Sequence, residues 1–114
     1  MGYDFHISRA AEWSESESKP ISLSEWKEYV ASDPEFRFDT AEATTPKGET
    51  IRYVNEGLAR WTPRDGLEEG RMGWFDYRRG RIVVKNADQK TIEKMKQIAA
   101  FFEARVFGDE GEEY

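Results

Sequence analysis

Between Phe36 and Lys85 the chain meets turn-forming residues every few positions, and this spacing restricts it to short antiparallel strands. Pro46-Lys47-Gly48, Asn55-Glu56-Gly57 and Arg78-Arg79-Gly80 each supply a residue that presets φ or tolerates positive φ. The stretches between them, Thr50–Val54, Leu58–Trp61, Met72–Tyr77 and Arg81–Lys85, are too short for stable helices. Ahead of them, Phe36 and Phe38 alternate with Arg37 and Asp39, and Ala41–Thr45 forms the first arm of a hairpin with Thr50–Val54. Ile82-Val83-Val84 is a continuous apolar run, the mark of a central strand covered on both faces. Thr62–Gly70 holds Pro63, Asp65, Gly66 and Gly70 and reads as a loop.

Two amphipathic helices flank this ribbon. Ser22 and Glu25 make a capping box, with Ile21 and Trp26 placed for a hydrophobic staple across it. Leu23, Trp26, Tyr29 and Val30 form the apolar stripe, and Pro34 forces the helix to stop near Asp33. The second helix is expected to start at an Asn86 cap, with Gln89 closing the box and Asp88 favourable near the positive end of the dipole. Its stripe is Ile92, Met95, Ile98, Ala99 and Phe102, while Lys90, Lys94 and Lys96 lie mainly away from it.

At the ends, Tyr3, Phe5 and Ile7 alternate with Asp4, His6 and Ser8, which predicts a strand with one buried face. Glu12–Pro20 reads as a mobile, solvated, Ser- and Glu-rich loop, and Ala104–Phe107 as a last short strand. The sum is an α+β domain: a mostly antiparallel sheet of five to seven strands with two helices packed on it, in the order β-α-β-β-β-β-β-α-β. Residues 1–108 form a single domain, and 109–114 a solvated acidic C-terminal tail. The strand before the second helix and the one after it could form one right-handed parallel crossover.

A chain of 114 residues is one domain, and only 38% of it is apolar. Aromatics, at 14%, must therefore supply much of the core. Trp26 belongs to that core, whereas Trp13 and Trp61, flanking loops, are expected at the surface. The absence of cysteine excludes disulfides, thiolate metal sites and thiol catalysis and points to a reducing cytosol. The N-terminal residues match neither a secretory signal nor a myristoylation signal, and no apolar run is long enough to span a membrane.

Net charge is −6, unevenly distributed: residues 1–49 carry −6, residues 50–85 carry +3, and residues 86–114 carry −3. The acidic balance argues against nonspecific nucleic-acid binding. The basic middle keeps single-stranded nucleic acid open as an alternative, although alternating surface charge for solubility is the favoured account of it.

Several strings carry a resemblance: Gly2-Tyr3-Asp4-Phe5-His6-Ile7-Ser8-Arg9, Ala41-Glu42-Ala43-Thr44, Trp74-Phe75-Asp76-Tyr77, Ile82-Val83-Val84-Lys85-Asn86 and Gly108-Asp109-Glu110-Gly111-Glu112. Together they resemble a family of small single-domain bacterial cytosolic proteins of uncharacterised function. The likeness spans nearly the whole chain. It implies a bacterial cytosolic origin and brings no activity, cofactor or catalytic residue. By size and acidity, such chains are also similar to immunity proteins that neutralise toxins, a likeness of type rather than of motif.

Candidate chemistry is sparse. His6 is the only histidine, and with Asp4 and Asp76 it could line a small-ligand or catalytic pocket, as a general base oriented by a carboxylate. Along a strand, Asp4 and His6 share a face about 7 Å apart, too far for a direct bond. The alternative is a hydrogen-bonded structural residue. No nucleophile elbow, phosphate loop or calcium loop occurs, so neither metal nor cofactor is expected. The most distinctive composition is arginine among aromatics: Arg60, Trp61, Arg64, Trp74, Tyr77, Arg78 and Arg79. Rings in the core with arginines alternating outward are the first reading of this mixture, a protein interface the second and nucleic-acid stacking the third. The favoured expectation is a non-enzymatic protein-binding domain, monomeric or weakly dimeric, in an immunity-like version neutralising a basic partner.

Overall fold

The computed structural model describes residues 3–39, 41–53, 55–63, 73–85 and 87–114. The chain order is β1 (Asp4–Ser8), a 3-10 turn (Trp13–Ser18), α1 (Leu23–Ser32), β2 (Phe36–Phe38), β3 (Ala41–Thr44), β4 (Thr50–Tyr53), β5 (Leu58–Trp61), β6 (Gly73–Arg78), β7 (Arg81–Lys85), α2 (Gln89–Phe102) and β8 (Arg105–Gly108). Six strands form one sheet in the order β2-β5-β6-β7-β1-β8, and β3 pairs with β4 as a separate hairpin. All pairings are antiparallel. The α+β fold expected from the hairpin pattern is therefore present, with six strands rather than five between the helices. Strands β7 and β8 both run antiparallel to β1 and hence parallel to each other, with α2 connecting them and β1 between.

Local chemistry sets the helix limits. The Ser22 hydroxyl accepts the Glu25 amide at 3.1 Å, and the Glu25 carboxylate accepts the Ser22 amide at 2.9 Å. Asp33 turns extended ahead of Pro34, as a pre-proline residue must. Helix α2 departs from the expected start. Its cap is Asp88, whose carboxylate accepts the Thr91 amide at 2.8 Å, and Asn86 lies outside the described residues. A charged acceptor also suits the positive end of the helix dipole. Lys94 likewise departs from expectation. It is buried, and its ammonium pairs with Asp33 at 2.8 Å and Glu35 at 3.6 Å, over the ring of Phe36. Its apolar stem runs along the stripe while the charge reaches carboxylates from the end of α1 and the start of β2.

The helices cover one sheet face, built from Phe5, Ile7, Phe36, Ala59, Trp61, Phe75, Ile82, Val84 and Val106. Rings interlock there: Phe36 meets Phe75 at 4.9 Å and 89°, and Trp26 meets Phe36 at 5.7 Å and 78°. Each such pair contributes roughly 1 kcal/mol beyond burial. Trp26 is fully buried, and its indole N–H donates to the Gly57 carbonyl at 2.9 Å, the same oxygen that accepts the Tyr77 amide at 3.2 Å. Trp61, expected at the surface, is instead 3% exposed and donates to Glu35 at 3.0 Å. It alternates with Arg60, so only one of the two can face outward.

Strand β1 is buried on both faces, contrary to its one-sided pattern, because His6 and Ser8 lie beneath the 3-10 turn. That turn was expected to be a solvated loop, yet Ser16 within it is fully buried. Residues 109–114 fold back rather than project. Glu113 bridges to Phe107, the Tyr114 amide donates to Val106 at 2.9 Å, and Tyr3 bonds Glu112.

Lys94→Met keeps the stem and deletes the ammonium, leaving Asp33 and Glu35 facing each other half-buried. We expect a loss of about 3 kcal/mol in urea unfolding, typical of breaking a buried ion pair. A loss below a few tenths would mean the network is solvated.

Candidate functional site

Among the described residues, two places bear on the site residues read from the sequence. The first is built on β1, where register puts Phe107, His6, Val83, Asp76 and Leu58 in one row across the sheet. His6 and Asp76 therefore share a face, but β7 separates them and leaves their backbones roughly 10 Å apart. The expected grouping of Asp4, His6 and Asp76 does not form. Asp76 instead accepts Asn55 and, at 2.8 Å, the Arg78 Nε–H, while the Asp4 backbone amide donates to Asp109 at 2.8 Å.

The partners of His6 come from distant sequence. Its Nε2 contacts Asp109 Oδ1 at 2.8 Å, and its Nδ1 accepts the Arg81 Nε–H at 3.2 Å. A guanidinium can only donate, so the ring proton must sit on Nε2 and the imidazole is neutral. Trp13 stacks on the ring at 3.9 Å with planes 1° apart, and Arg81 lies 5.1 Å from the Trp13 ring centre. Burial holds His6 below the ordinary imidazole range; the Asp109 hydrogen bond opposes this, and the Arg81 cation adds to it. Burial works against ionised Asp109, but hydrogen bonds from the Asp4 amide and His6 outweigh it and keep the carboxyl low. With both nitrogens engaged and the ring 2% exposed, His6 is a sealed structural group.

The second place is a cleft of about 540 Å³. Leu23 from α1, Asn55, Glu56 and Gly57 from the turn before β5, and Tyr77, Arg78 and Arg79 from β6 and its turn line it. Its shape comes from hydrogen bonds around it. Asn55 donates to the Tyr77 carbonyl at 2.9 Å, and the Tyr77 hydroxyl donates to Ile21 at 2.7 Å. Gly57 sits against the Tyr77 Cβ, where any side chain would collide. Arg79 and Gly80 form the two-residue turn joining β6 to β7, with φ of +48° and +83°. Both positive values match the primed turns that suit hairpin twist. The turn is clamped: Ser16 donates to the Arg79 carbonyl at 2.7 Å, the Ile21 amide donates to Gly80 at 2.9 Å, and Pro20 packs against Gly80.

Of the arginine–aromatic set, Tyr77, Arg78 and Arg79 meet in this cleft. Arg60 and Trp74 lie opposite one another on β5 and β6, partly exposed, on the sheet face away from the helices, and Arg60 pairs with Asp39 at 3.6 Å. Trp61 is withdrawn into the core, and Arg64 lies outside the described residues. Asp109, Trp13, Ser16 and Arg81 were missed as a group. A tryptophan inside an otherwise polar Ser–Glu stretch was the available signal. Among the described residues no three His, Asp or Glu side chains are grouped to hold a metal ion, and no helix is long and apolar enough to cross a membrane. Comparison with known protein families, curated proteins and solved structures finds no match.

Because the folded His6 pKa lies below its unfolded value, the unfolded chain takes up the proton first as pH falls. The stability this group contributes is complete above about pH 6.5 and is lost on acidification toward the folded value. The urea midpoint of the wild type should fall between pH 7.5 and 5, and His6→Gln should flatten that slope. An unchanged slope in the variant would assign the effect to other groups.

Proposed function

We propose that the chain is a non-enzymatic recognition domain that binds another protein. The observation that carries this reading is the cleft beside the β6–β7 turn. There an exposed arginine, Arg79, is held by a clamped backbone at the lip of a half-apolar depression. Arginine and tyrosine beside a small apolar surface are the usual makings of an interface anchor. Sealing of the lone histidine favours recognition over acid–base chemistry, since its ring has no nitrogen left to move a proton. The domain acts in a bacterial cytosol, as the resemblance implies and a cysteine-free chain permits. The overall charge of −6 steers it away from strongly acidic partners and toward neutral or basic ones, in keeping with an immunity-like role.

The test is affinity capture from source-cell extract with three baits: wild type, Arg79→Glu, and Phe101→Ser as a control on the far helix. We expect one stoichiometric protein with wild type and control, and its loss with Arg79→Glu at unchanged melting temperature. No protein held by the wild type, or equal retention by the charge-reversed bait, would overturn the reading.

A further inference from the structure

Arg79 occupies an unusual position for its type. The first residue of a two-residue hairpin turn with positive φ is normally Gly, which has no Cβ to crowd the following carbonyl, or Asn or Asp, whose short polar side chain offsets that crowding by local hydrogen bonding. Here Gly80 satisfies the rule and Arg79, at φ +48°, does not. Strain at a surface turn persists when the surroundings over-determine it, and contacts from Ser16, Pro20 and Ile21 do so. Among the described residues the Arg79 guanidinium meets no carboxylate, whereas its neighbours are matched internally: Arg78 to Asp76, Lys27 to Glu56 and Arg81 to His6 and Ser16.

We infer that the cleft takes a short acidic segment of the partner polypeptide, with a carboxylate seated on the Arg79 guanidinium and the segment's apolar atoms against Leu23 and Tyr77. This rests on the recognition reading above and names the chemistry of the partner. A planar guanidinium binds a carboxylate through two parallel N–H donors, which fixes orientation as well as charge. Arg78 is held by its Nε–H on the buried Asp76 carboxylate, which leaves Arg79 to supply the contact. The acidic remainder of the domain limits the length of such a segment. An acidic stretch running well beyond the cleft would be repelled by the −6 surface, so the fitting partner confines its carboxylates to a segment of about six residues or fewer on an otherwise non-acidic surface. A nucleic-acid backbone is a poorer fit, since tracking phosphates takes a row of cations and, among the described residues, Arg78 and Arg79 are the cations lining this cleft.

The test is a ¹⁵N-resolved NMR titration of the full chain at low salt with capped hexaglutamate, and in parallel with hexalysine, a Gly/Ser hexapeptide and a hexathymidylate. Hexaglutamate should shift the amides of Gly57, Tyr77, Arg79 and Gly80 first. Arg79→Asn should weaken that binding about tenfold or more while raising the melting temperature, because asparagine relieves the turn. Arg79→Lys should restore binding only in part, since an ammonium cannot form the paired contact. Hexaglutamate shifts that are absent or centred elsewhere, undiminished binding by Arg79→Asn, or stronger shifts with hexathymidylate would overturn the inference. Cleft shifts produced by hexalysine or the neutral peptide alone would overturn the acidic assignment and leave protein recognition standing.

Discussion

A single carbonyl oxygen, that of Gly57, joins three parts of the molecule. It accepts the Trp26 indole from the centre of α1 and the Tyr77 amide from β6, while its own residue lies in the turn leading into β5. Removing the Trp26 side chain would leave both a void in the aromatic core and an acceptor short of a donor. The same contact fixes where α1 begins relative to the sheet, which brings Leu23 and Tyr77 together over Gly57 in the cleft. A second tie holds that geometry from the far side. Arg9, just past β1, grips Glu25 at 2.6 and 3.0 Å and reaches the Phe102 carbonyl at 2.8 Å, so the start of α1 and the end of α2 meet at one guanidinium. Recognition surface and core are therefore built from one set of contacts.

What could be read from the sequence was local. The Ser22–Glu25 cap, the stop before Pro34, the turn at Gly80 and the two-sided burial of Ile82-Val83-Val84 each follow from residues a few positions apart, and the structure shows them all. What could not be read depended on distance along the chain. The carboxylate that engages His6 lies 103 residues away, in a segment whose composition resembles a solvated tail. The second face of β1 is covered by a turn whose serines and glutamates conceal the one ring that matters, Trp13. Trp61 was a different failure: its parity with Arg60 placed it on the inner face, but its position next to a loop suggested otherwise. In the candidate site, the cluster Tyr77–Arg79 was visible as composition, while the cleft needed Leu23 and Gly57 to be brought alongside by folding.

Charge is arranged in two ways within one small domain. Around His6 it is consumed internally: the imidazole stays neutral, Asp109 stays ionised, and Arg81 is shared between the ring and Ser16. At the β6–β7 turn a positive group stands outward on a strained backbone in a protein of opposite overall sign. The first arrangement ties β7, β1 and the segment after β8 together at one end of the sheet, and the second offers a short-range contact against a long-range field, which favours selectivity over speed of association.

The backbone bridge from Glu113 to Phe107, with the Tyr114 amide on Val106, has a consequence for how copies of the molecule can meet. The sheet ends in β2 on one side and β8 on the other, and Glu113 and Tyr114 occupy the outer rim of β8. Growth of a continuous ribbon from molecule to molecule needs two free rims on every unit. With the β8 rim of the six-stranded sheet occupied among the described residues, joining through β2 closes on itself as a two-fold pair instead of extending that sheet.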